Sequence, residues 1–280
     1  MNLSVMQCTF HGLLSRGEVT PAKLAEDYSK AGATAIEPMG SNINASESLW
    51  KEADAAFKDH GLIYDCYDLG INLIGDGSPA AMQKALDDVE RNAEFARTRL
   101  STPCMMIYGT APAEGMDNDV ARRIYGEQLR KAAELAKPYN ITVCIEDFGV
   151  TPFFTASATH CKAVLDVAGD DVKFNFDNGN FFYGGETAKQ AFALLADKTC
   201  HIHIKDFRMY RDDNPEIKRL RSVDGYLFEE APHGQGVADV DWTIKSFLER
   251  GYKGFFSIEV FTKHTYEDTI YALKHASSLA

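Results

Sequence analysis

Eight times along this chain a short apolar run of strand length is followed by a longer segment with helical periodicity. That alternation leaves few folds open. The first pair is LSVMQC and TPAKLAEDYSKAGA, in which Thr20 stands where a helix cap is needed and Pro21 opens the first turn. TAIEPM, LIYDCYDL, TPCMMIYG, ITVCIED, DVKFNFD, TCHIHIKD and GFFSIEVF supply the other strands. The seventh helix comes only after a long connection, from about 207 to 240, which is charged at first and ends in PHGQGVADV. Such a loop reads equally as a functional lid or as ornament. With 280 residues and no linker rich in Pro, Gly or Ser, the chain is expected to form a single domain over 1–280, a (β/α)8 TIM barrel of the usual ~250-residue size. An open doubly wound sheet is the alternative, but the first turn, TFHGLLSRGE, lacks the GxGxxG loop usual in that fold.

Composition narrows the function. The chain carries 29 basic and 41 acidic residues, a net charge of −12. So acidic a surface repels phosphate backbones, and no nucleic-acid partner is expected. No apolar run approaches the roughly 20 residues that span a bilayer, so no membrane partner is expected either. The start, MNLSVMQCTFHG, shows no secretory pattern, and a cytoplasmic location is the default expectation. The six cysteines form no CxxC pair, and four lie in apolar segments, which suits reduced core thiols.

In a barrel of this type the active site forms at the carboxyl ends of the strands, and there the polar residues gather. Strand two ends in Glu37, five in Glu146, six in Asp177 and eight in Glu259; strand seven carries His201, His203, Lys205 and Asp206. Carboxylates are depleted in strands. Any one of these could cap the next helix, but four on adjacent strands would converge, and three carboxylates stay ionised that close only around a cation. Oxygen donors with one imidazole suit Mn2+, Mg2+, Co2+ or Zn2+. Alternation along strand seven puts His201, His203 and Lys205 on one face and Cys200, Ile202 and Ile204 on the other. His203 would then reach the metal, Lys205 the substrate, and His201 would pack in the core.

TVCIEDFG, VKFNFDNGNFFYGGE, HIHIKDF, GQGVADVDW and YKGFFSIEVF together resemble the sugar phosphate isomerase/epimerase family of xylose-isomerase-like TIM barrels, over most of the chain. The resemblance implies one divalent metal, Mn2+ as the first expectation, held by Glu146, Asp177, His203 and Glu259, with Glu146 and Glu259 as the catalytic acid/base pair. It implies a small sugar or keto-sugar substrate, and homo-oligomers are common among such barrels. Many relatives carry a histidine three places after the metal-binding aspartate; here that residue is Asn180, able to hydrogen-bond a hydroxyl but not to transfer a proton. Lys205 and Arg208 are the candidates for the basic substrate contact. Glu37 could contact a sugar hydroxyl, cap a helix or support the site from behind, and His11 could reach the mouth or lie on the surface.

The expected activity is a metal-dependent sugar isomerisation or epimerisation by proton transfer beside a carbonyl, through an enediolate that the metal stabilises. The alternative is a keto-inositol or keto-sugar dehydratase on the same metal site, in which a β-hydroxyl is expelled. An apurinic endonuclease would need more metal-binding histidines and a basic groove, and a non-enzymatic sugar-binding barrel would have little use for two glutamates.

Overall fold

The computed structural model describes residues 1–212, 214 and 219–280. Nine parallel strands form a nearly closed barrel: β1 (Asn2–Met6), β2 (Ala35–Glu37), β3 (Ile63–Tyr64), β4 (Cys66–Gly70), β5 (Cys104–Tyr108), β6 (Thr142–Glu146), β7 (Val172–Asp177), β8 (Thr199–Ile204) and β11 (Phe255–Ile258). Their spatial order is β3-β2-β1-β11-β8-β7-β6-β5-β4. All eight expected strands are present. The ninth arises because the third is broken at Asp65: its first half pairs with β2 and its second with β5. That one extended segment therefore joins the two ends of the sheet.

The helices pack outside. They are α1 (Gln7–Ser15), α2 (Pro21–Ala31), α3 (Gly40–Ala45), α4 (Glu47–Asp59), α5 (Pro79–Phe95), α6 (Asn118–Ala136), α7 (Ala158–Ala168), α8 (Ala188–Leu195), α9 (Val240–Glu249) and α10 (Thr265–Ser277). As expected, α2 opens with Thr20, whose hydroxyl accepts from the Lys23 backbone N–H at 3.2 Å, and with Pro21 in its first turn. The helix α1 was not expected. It begins directly after β1, where the apolar run suggests a strand as far as Cys8 and then a turn. Phe10, Leu13 and Leu14 recur at helical spacing and are all buried, so this short segment is held helical by covering the barrel wall.

The main apolar core lies between sheet and helices, while Cys66, Cys104, Met106 and Cys144 form a separate cluster. β7 and β8 are out of simple register. Phe174 pairs with Thr199 but Asn175 with His201, which makes Cys200 the extra residue of a bulge. This corrects the expectation that Cys200 shares the outward face of Ile202 and Ile204: its sulfur lies 3.9 Å from that of Cys104.

The long seventh connection contains a small antiparallel hairpin, β9 (Phe207–Tyr210) with β10 (Leu227–Glu230). Part of its charged stretch, 213 and 215–218, lies outside the described residues. Asp206 anchors the loop: its carboxylate accepts from the backbone N–H groups of Phe207, Gly236 and Ala238 at 2.8–3.1 Å. A Cβ at Gly236 would collide with the Asp206 carboxylate, which is why a glycine stands in GQG.

His233 ties the end of this connection to the barrel. It is fully buried, and Nε2 donates to the Glu259 carbonyl at 3.4 Å. Burial pushes its pKa down from 6.5 to about 4. Between those two values the unfolded chain binds a proton that the folded chain refuses, so stability falls as pH drops through that window. The full effect is ~3 kcal/mol. Urea denaturation of wild type and His233→Gln between pH 4 and 7 is expected to show a shallower pH slope in the variant; parallel slopes would contradict this reading.

Candidate active site

The site grows from the inward faces of β2, β4, β6, β7 and β8. His201, His203 and Lys205 are all buried, as the alternation along the seventh strand requires. Glu37, at the end of β2, reaches across to both rings. Its Oε1 accepts from His203 Nε2 at 3.0 Å, and its Oε2 lies 3.0 Å from His201 Nε2. With the Nε2 proton held by Glu37, Nδ1 is the nitrogen left to give up its proton and ligate a cation.

That Nδ1 is buried and has no hydrogen-bond partner among the described residues. It faces Glu146 Oε2 at 3.7 Å and Asp177 Oδ2 at 3.9 Å. Both distances are too long for hydrogen bonds. They are a few tenths of an ångström wider than the roughly 3.4 Å kept by donors ~2.1 Å from one tetrahedral cation. Asp177 is oriented for this by the backbone: its Oδ1 accepts from the N–H groups of Gly179 and Asn180, leaving Oδ2 aimed inward. Glu146, Asp177 and His203 form one ligand set, and Glu37, Asp68 and His203 form another around the same ring. The donor chemistry and spacing fit a divalent ion.

Glu259 stands apart from that set. It reaches it through Lys205, whose ammonium lies 2.8 Å from Glu259 Oε2 and 2.9 Å from Asp177 Oδ2. Asn180 completes the bridge: its Nδ2 donates to Glu146 Oε2, and its Oδ1 accepts from Lys205 Nζ, both at 3.3 Å. Lys205 and Asn180, read from the sequence as substrate contacts, thus both lie against the carboxylate cluster. Glu37 takes the supporting position behind His203. Arg208 is exposed on β9 and lines a neighbouring cleft with Arg219, Lys263 and His264. His11 sits half-buried on α1, its Nε2 3.3 Å from the Ser15 hydroxyl, outside the lining of the mouth.

Electrostatics make the case for a cation. Glu37, Asp65, Asp68, Glu146, Asp147 and Asp177 are all buried, and among the described residues Lys205 is the permanent cation buried with them. Burial pushes the Glu146 carboxyl up, and drives Asp68 and Asp147 well above the usual carboxylate range, with neighbouring carboxylates adding to it. Burial alone would lower His203, but Glu37 and Glu146 overcome it and hold the ring well above its ordinary value. Lys205 behaves likewise, with Asp177 and Glu259 outweighing burial. Sequence reasoning missed Asp68, whose two carboxylate oxygens lack hydrogen-bond partners among the described residues. Its signal was the aspartate near the end of LIYDCYDL, masked by the apolar residues around it.

Above the cluster opens a cavity of about 220 Å3. Glu146, Asn180, Lys205 and Glu259 give it a polar base, and Tyr108, Phe148 and Phe261 supply apolar walls. A small polyhydroxylated molecule could set its carbonyl end on the polar base and its C–H face on the rings.

The chain belongs to the xylose isomerase-like TIM barrel family, whose model matches residues 25–277. It is 29% identical over 132 residues to an inosose dehydratase of Serratia proteamaculans, a match covering 45% of this chain and 43% of that protein. The chain thus aligns with less than half of that relative's length. Its fold is shared with the probable 3-DHS dehydratase AsbF of Bacillus anthracis, at a TM-score of 0.76 and 18% identity over 99% of both chains. It is shared also with the IolI protein solved with a zinc atom, at a TM-score of 0.74 and 16% identity, covering 99% of this chain and 96% of that one.

Glu37 is expected to set metal affinity by holding His203 Nε2–H. Glu37→Gln should weaken binding of Mn2+ or Zn2+ roughly 10- to 100-fold, read by isothermal titration calorimetry. Unchanged affinity would remove Glu37 from that role.

Proposed function

We propose that this protein is a divalent-metal-dependent dehydratase acting on a keto-inositol or keto-sugar, with Glu146, Asp177 and His203 as the inner metal ligands. One observation carries the choice of reaction: the buried ammonium of Lys205 lies 2.8 Å from Glu259, so a proton donor and a proton acceptor stand together at the mouth. Elimination needs that pair. The match to an inosose dehydratase supports the same reading. The donor set suits Mn2+, Mg2+, Co2+ or Zn2+, and zinc is the metal of the IolI neighbour.

When bound, the metal supplies Lewis-acid polarisation of the substrate carbonyl. The chain's own residues do the rest. Glu259 removes the proton from the carbon beside the carbonyl. Lys205 gives a proton to the departing β-hydroxyl, which leaves as water, and the substrate keeps a carbon–carbon double bond. The proton held on Glu259 then returns to Lys205 across their contact, restoring both groups. Asn180 holds the Glu146 carboxylate and orients the Lys205 ammonium.

A second reading is epimerisation or isomerisation. Glu146 and Glu259 both line the cavity, so one could remove a proton and the other return it to the opposite face or the adjacent carbon. Product analysis separates the two. Dehydration lowers the product mass by one water and creates an enone that absorbs in the ultraviolet. Lys205→Met is expected to lower the elimination rate about 10²- to 10⁴-fold, while solvent deuterium still enters the carbon beside the carbonyl. A wild-type product of the same mass as its substrate would favour the epimerase reading instead.

A further inference from the structure

A second cluster of metal-ligating side chains lies below the first, near the amino-terminal end of the barrel. Cys66 opens β4, Cys104 opens β5, Cys144 is in the middle of β6 and Cys200 is near the start of β8. Four of the chain's six cysteines, from four separate strands, meet here. The sulfur of Cys104 is 3.6 Å from that of Cys144 and 3.9 Å from that of Cys200. Those of Cys66, Cys104 and Cys144 all lie within 4.8 Å of one another.

We propose that these four cysteines form a second metal site, a thiolate site for Zn2+ or a closely similar soft cation. Four sulfurs ~2.3 Å from a tetrahedral zinc are roughly 3.8 Å apart, which the separations of Cys104 from Cys144 and from Cys200 bracket. Small apolar side chains could fill the same space, but they would not need the bulge that turns Cys200 toward Cys104. In a regular strand the residue beside inward-facing His201 would point outward. Cys200 is also the only partly exposed member of the four, which gives an ion a way in from below. Each thiol that ligates gives up its proton to solvent as the metal binds.

The two sites differ in hardness. Carboxylates and the His203 imidazole make up the upper site and sulfurs the lower one, and the ligand atoms of Glu37, His201 and Cys66 lie within 4.8 Å of one another where the two approach. The proposal is independent of the reaction assigned to the mouth.

Cobalt distinguishes the sites, because only a sulfur-ligated Co2+ gives thiolate-to-metal charge-transfer absorption. Reduced, metal-stripped protein titrated with Co2+ is expected to develop that band and to lose it on addition of Zn2+. The band should persist in Asp177→Asn, which impairs the upper site, and in Cys8→Ala, which removes the thiol that lines the cavity at the mouth. Cys104→Ser and Cys200→Ala should each abolish or greatly weaken it, and zinc per chain should fall from two to one. The partly exposed Cys200 provides the variant least able to disturb folding. Absence of the band in wild type with excess Co2+, or its loss in Cys8→Ala alone, would overturn the proposal and leave the four cysteines as packing.

Discussion

Six carboxylates buried in the barrel repel each other, and the barrel remains folded only if positive charge or protons offset them. Lys205 supplies one charge and the His203 ring can supply another, but the ring's Nδ1 points between Glu146 and Asp177 with nothing to bond among the described residues. A dication at that point would relieve Glu146 and Asp177 together and give Nδ1 a partner. The support behind the ring fits the same account. Glu37 fixes which nitrogen carries the proton, and two backbone N–H groups fix which oxygen of Asp177 is free.

From that constraint the rest of the mouth follows. Lys205 is one alternation step beyond His203, just past the end of β8, which sets its ammonium at the mouth above the ring. Asn180 stands three residues past Asp177 at the start of a short helical turn, where it touches both Glu146 and Lys205. An amide here can orient two ionic groups while taking no proton, and in the proposed reaction proton transfer falls to Lys205 and the glutamates. Asp206, next to Lys205 in sequence, serves the fold instead of the chemistry. Through three backbone N–H groups it holds the long seventh connection against the barrel.

Much of this was legible in the sequence, for physical reasons. Parallel strands covered by helices read as apolar runs, so the barrel was visible, and carboxylates at the ends of such runs stand out. Other features depended on tertiary context. The helix after β1 begins without a loop, and its apolar spacing spans too few residues to register beside the strand before it. Asp65 and Asp68 interrupt the third strand from within, where an aspartate looks like noise until the barrel closes around it. The direction of Cys200 reverses through a bulge that no periodicity announces. Glu259 was grouped with the other ligands from its place at a strand end and from the family resemblance; its charged partner among the described residues is Lys205.

Anomalous X-ray scattering from crystals soaked in Mn2+ tests the central claim most directly. A single strong peak at the mouth, within bonding distance of Glu146, Asp177 and His203 Nδ1, is the predicted result, with Lys205 drawn off Asp177 toward Glu259. A mouth with no peak at saturating Mn2+, and with the Lys205 ammonium still seated on Asp177, would contradict it.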